Sequence, residues 1–93
     1  MRAADQIRRA STWWQNNRPL APSAFAEDLG RAFEVIALQP GIGARATNAH
    51  DAEIRRILLS RTGYLLYYQP VVATRSVLIL ALWHARRGRE PRL

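Results

Sequence analysis

From Val77 to Trp83 every residue is apolar, in the order Val-Leu-Ile-Leu-Ala-Leu-Trp. The run falls far short of the ~20 residues that span a bilayer, so it is not a membrane helix. Its length and composition predict a strand from Ser76 to His84. Alternation along that strand puts Val77, Ile79, Ala81 and Trp83 on one face and Leu78, Leu80 and Leu82 on the other. A strand apolar on both sides is expected at the centre of a sheet, or with one face docked on a partner.

Two shorter segments upstream share this character. Glu53 to Ser60 and Tyr64 to Gln69 are rich in Ile, Leu and Tyr. Arg61-Thr62-Gly63 separates them as a tight turn, and Pro70 to Arg75 forms a looser one before the last strand. The three strands read as an antiparallel meander. The N-terminal part has a different period. Ile7, Ala10, Ser11 and Trp14 share one face of a helix over Ala3 to Asn16, which Asn17-Arg18-Pro19 stops. A second helix runs from Pro22 or Ser23 to Leu38, with Phe25, Leu29, Phe33 and Ile36 as its apolar stripe. Glu27 and Asp28 lie near the positive end of its dipole, and Glu27 can reach Arg31 one turn on. Gly41 to Ala52 shows no period and reads as loop. Two helices followed by strands indicate an α+β fold: a helical hairpin on one face of a three-stranded, or four-stranded, antiparallel sheet. At 93 residues the chain is expected to be one domain, 1–93.

The chain carries 14 basic and 7 acidic residues, a net charge of +7, and all the basic residues are arginine. Guanidinium groups bind flat anions through a bidentate fork, so acidic protein surfaces or nucleic acid are the expected partners. Cysteine is absent. That excludes disulfides and thiolate metal sites and fits a cytoplasmic protein. Met1-Arg2-Ala3-Ala4-Asp5 opens with charge and lacks the apolar core of a signal peptide, so neither a leader nor a membrane partner is expected. Gly41-Ile42-Gly43 lacks the rest of any phosphate-binding loop, and no His or carboxylate cluster has metal-ligand spacing. No cofactor or metal is expected.

Three stretches together carry a family resemblance. They are Trp13-Trp14 through Asn17-Arg18-Pro19, with the second helix and its Gln39-Pro40-Gly41-Ile42-Gly43 exit; Ile54 to Leu59 leading into Thr62-Gly63-Tyr64-Leu65-Leu66-Tyr67-Tyr68; and Val77 to Gly88. In this order the chain resembles the ParE/RelE toxins of type II toxin–antitoxin systems, also called plasmid-stabilisation proteins. The resemblance implies a cognate antitoxin whose acidic or partly disordered segment folds on the toxin. It also allows a dimer of toxin–antitoxin pairs. ParE-like members block DNA gyrase without hydrolytic activity, whereas RelE-like members cut messenger RNA on the ribosome. Family members usually open with a further strand before the first helix. Here Met1 to Ala3 would be its remnant, which implies a shortened chain and an exposed sheet edge.

RelE-like nucleases carry an arginine directly after the tyrosine that opens the middle strand; here that position is Leu65. They also carry a Tyr or His at the extreme C-terminus, where this chain ends Glu90-Pro91-Arg92-Leu93. Arg86 or Arg87 matches a further arginine only loosely. His84 is the one candidate general base near that end, with a structural role as the simpler reading. His50 has no evident partners. The ParE-like reading is therefore favoured, with the ribosome-dependent endonuclease as the alternative and a basic non-toxic binding module of the same fold as the third. In a meander the end of the last strand lies beside the first hairpin's turn. Arg61 should then meet Arg86 and Arg87 in one basic rim for the target, with Arg55 and Arg56 further down the first strand. Tyr67, Leu78, Leu80 and Trp83 are the expected antitoxin contacts.

Overall fold

A computed structural model describes residues 2–46 and 53–86. Helix α1 spans Arg2–Asn17 and α2 spans Ala24–Leu38. Four strands follow: β1 Ala44–Arg45, β2 Arg55–Leu59, β3 Tyr64–Val71 and β4 Ser76–His84. A single 3-10 turn, Val72–Thr74, joins the last two. All neighbours are antiparallel, in the order β1-β2-β3-β4. The architecture is the α+β fold read from the sequence, two helices followed by a four-stranded antiparallel sheet.

The fourth strand, however, is not N-terminal. Arg2 and Ala3 are already helical. The extra strand is β1, inside the segment read as loop, where Ala44 pairs with Arg56 and Arg45 with Arg55. The Ala46 N–H extends this ladder by donating to the Ile54 carbonyl at 3.0 Å. Two residues carry too little alternation to announce a strand.

The helices cover one face of the sheet. Phe25, Leu29, Ala32 and Ile36 of α2 and Ala10 of α1 pack with Leu59, Leu66, Tyr68 and Leu82. Fully burying a Phe or Leu of this set contributes about 1.5–3 kcal/mol each. Phe33 lies at the margin of this stripe and stays exposed, its place in the core taken by Ala32. On the far face Tyr67 and Ala81 cluster with Ala46 and Ile54, flanked by Leu65, Leu80 and Trp83. The sheet therefore has a second, smaller apolar layer, supplied by the chain on either side of residues 47–52.

Strand β4 differs from expectation in two ways. It is an edge strand, not a central one. Its two apolar faces are explained by the helices on one side and the second cluster on the other. It also contains a bulge: Tyr67 pairs with Ala81 and Tyr68 with Ile79, leaving Leu80 without a partner in register. One extra residue inverts the alternation beyond it. Val77 and Ile79 thus share the helix side with Leu82, while Leu80, Ala81 and Trp83 face away. The edge is capped locally by α1, whose Gln6 Oε1 accepts the Leu82 N–H at 2.9 Å. An edge whose N–H is filled by a side chain is a poorer template for strand addition.

Candidate functional site

The turn between β2 and β3 is held by a carboxylate that reaches it from α2. Asp28 is only 4% exposed. Its Oδ2 accepts the Arg61 N–H at 3.1 Å, the Thr62 N–H at 2.9 Å and the Thr62 hydroxyl at 2.8 Å. Its Oδ1 lies 3.4 Å from the Arg31 guanidinium. A buried charge needs this degree of satisfaction, because an ion without partners costs several kcal/mol in a protein interior. Gly63 completes the turn with φ +83, a left-handed conformation that side chains rarely adopt. The Ala85 N–H then donates to the Gly63 carbonyl at 2.8 Å and pins the end of β4 beside the turn.

This arrangement creates a cleft of about 860 Å³ between α1, the β2–β3 turn and the end of β4. Arg9, Arg18, Arg61 and Arg86 line it, together with Trp13, Trp14 and Trp83. No carboxylate is among its described lining residues. The Arg18 Cζ sits 5.0 Å from the Trp13 ring centroid and 5.6 Å from that of Trp14. The two indoles meet edge to face at 5.8 Å. Arg61 is partly neutralised by Glu27, at 2.9 Å, an exposed pair of small energetic weight. Glu27 thus reaches across to the sheet, not along its own helix to Arg31 as its spacing predicted; Arg31 meets Asp28 instead.

His84 stands in the same cleft, with its ring edge-on to Tyr64 at 5.0 Å. Its Nδ1 accepts the Arg86 N–H at 3.2 Å, so in the neutral ring the proton is assigned to Nε2. That geometry gives His84 a structural task, the fastening of the chain after β4.

The remaining residues singled out in the sequence fall elsewhere. Arg61 and Arg86 share the cleft; Arg87 and His50 lie outside the described residues. Arg55 is at the opposite end of β2, where its Nη1 donates to the Gly43 carbonyl at 2.7 Å. Arg56 is its neighbour there, paired in register with Ala44 and Tyr67. Tyr67 is 0% exposed, Leu80 and Trp83 are half-buried, and Leu78 is 52% exposed on β4. The far face thus offers a partner Leu78 and the exposed Leu58 of β2, but no direct access to Tyr67.

Sequence reasoning passed over Arg9, Trp13, Trp14 and Arg18 as site residues, and Asp28 as the clamp. A signal existed in each case. Arg9 with Trp13, and Trp14 with Arg18, are spaced four apart and so flank one side of a helix. Asp28 falls between Phe25 and Leu29 on the buried stripe, where a carboxylate requires a specific set of donors.

No helix among the described residues is long and apolar enough to cross a membrane. The sequence matches the family model described as the ParE toxin of type II toxin–antitoxin systems, parDE, over residues 1–89. No curated protein and no solved structure gives a match alongside it. A match over nearly the whole length, on two helices and an antiparallel sheet, decides the family: the chain belongs to the ParE toxins, a branch of the ParE/RelE superfamily of type II toxin–antitoxin systems.

Proposed function

We propose that this toxin acts by protein–protein contact on a topoisomerase, DNA gyrase, and is neutralised by a cognate antitoxin encoded beside it. The observation that carries the reading is the surroundings of Leu65. RelE-like nucleases resemble one another in placing an arginine at this position. Here Leu65 packs beside Tyr67, Ala81 and Trp83 in the apolar layer of the far face. The side chain at this position thus supplies no cation to a phosphate in its transition state, although Arg56, opposite Tyr67 in register, is on the same face. Four arginines line an open cleft instead, Arg61 and Arg86 among them. Such a rim suits an acidic macromolecular surface, steering association and fixing orientation. The antitoxin's apolar contacts fall on Leu78 and Leu80, with Trp83 at the end of the same strand.

The ribosome-dependent nuclease is kept as a second reading by one observation: His84, Tyr64, Arg61 and Arg86 line one cleft. The two readings separate when the toxin is expressed without its antitoxin. Gyrase inhibition predicts filamentation and DNA damage while translation continues. Rapid loss of translation with cleaved messages, and intact supercoiling, would contradict the gyrase reading.

A further inference from the structure

All three tryptophans of the chain line the cleft that also gathers Arg9, Arg18, Arg61 and Arg86. We propose that this cleft binds a single-stranded segment of nucleic acid, with a base stacked on the exposed Trp13 indole and the strand's phosphates held by the four arginines. The argument has three parts. First, the indoles already hold a cation, the Arg18 Cζ lying 5.0 Å from the Trp13 centroid and 5.6 Å from that of Trp14. Trp13 is 45% exposed, so a second flat group has room to stack on it. Secondly, the cations come from α1 (Arg9), the residue after it (Arg18), the β2–β3 turn (Arg61) and the residues after β4 (Arg86). They line the same cleft as Trp13 and Trp14, an arrangement suited to a charged backbone whose bases stack. Thirdly, the described lining carries no carboxylate, and Glu27, outside it, meets the cleft only through its exposed pair with Arg61. Aromatic platforms inside a basic groove are how sequence-tolerant single-strand binders work. A duplex keeps its bases stacked inside and offers only its phosphates. The proposal concerns binding by the toxin alone and does not depend on gyrase being its target.

The test titrates the purified full-length chain against a short single-stranded oligonucleotide of mixed sequence, the duplex of equal length, and a polyglutamate peptide of equal charge. Tryptophan emission and probe anisotropy are recorded together. We expect the single strand to bind best and to quench the tryptophans. The salt slope should approach about −3, from roughly 0.7 for each of four phosphate contacts. Trp13→Ala should weaken single-strand binding by roughly tenfold, the scale of one lost base stack. Arg45→Ala, which removes the same charge as any cleft arginine but from the β1 edge, should leave the affinity near that of the parent. A DNA and an RNA strand of one sequence distinguish the two sources of ligand, and tight quenching by either supports the cleft. Equal binding of the duplex with unchanged tryptophan emission would overturn the proposal, reducing it to charge attraction. Equal quenching by polyglutamate would overturn it in favour of an acidic peptide.

Discussion

Near its N-terminal end α2 is tied to the sheet by a buried carboxylate; beyond its C-terminal end the tie is a neutral phenol. At the first, Asp28 takes the backbone N–H groups of Arg61 and Thr62 and the Thr62 hydroxyl. At the second, the Tyr68 hydroxyl donates to the Pro40 carbonyl at 2.7 Å and accepts the Gly43 N–H at 2.9 Å. The clamps differ in what they leave free. Asp28 holds its turn chiefly through main-chain groups, so the side chain of Arg61 stays at the surface, among the cleft's lining residues and in an exposed pair with Glu27. The Tyr68 clamp draws its neighbourhood inward. Arg55 is spent on the Gly43 carbonyl, and Gly43 itself sits so close that a Cβ there would lie 2.7 Å from both the Arg56 carbonyl oxygen and the Tyr68 hydroxyl. One end of the molecule is built to present side chains and the other to close the fold.

This contrast can be broken by substitution. Asp28→Ala is expected to have the largest effect, a loss of about 3 kcal/mol or more, because three donors lose one acceptor in a buried site. Asp28→Asn keeps an acceptor oxygen and should recover part of that loss. Urea unfolding midpoints of the two variants check both statements, and equal midpoints for Asp28→Ala and the parent would dissolve the clamp. Gly43→Ala comes next, at about 2 kcal/mol, since the contacting carbonyl belongs to a paired strand and yields little. A thermal midpoint unchanged from the parent would show that the close approach is relieved without cost. Tyr68→Phe should cost about 1–2 kcal/mol by stranding the Gly43 N–H, with toxicity kept in proportion to the folded fraction. Arg61→Ala should be the smallest in stability, within about 0.5 kcal/mol, because its ion pair with Glu27 is exposed. A destabilisation as large as that of Tyr68→Phe would place Arg61 among the closing residues instead.

The same contrast explains what the sequence made legible. Long elements with an apolar period announce themselves: both helices, β2, β3 and β4 were readable from residues such as Ile7, Phe25, Leu66 and Val77. The meander order follows from short connections, and with it the placing of Arg61 and Arg86 along one cleft. Features set by a single residue were not legible. The bulge at Leu80 reverses the faces of Leu82 and Trp83, yet a bulge leaves no mark in a run where every residue is apolar. The two-residue β1 exists because Gly43 lets the chain approach β2, a tertiary contact that no local pattern encodes. The α1 wall of the cleft was missed because Trp13, Trp14 and Arg18 read locally as a helix end; only packing shows that they face the end of β4.

Toxicity of the chain carrying Arg61→Ala, Arg86→Ala and Arg87→Ala together, compared with its thermal midpoint, tests most directly whether function resides in the arginine rim. The account predicts loss of toxicity with a midpoint close to that of the parent. Full toxicity in a folded triple variant would contradict it.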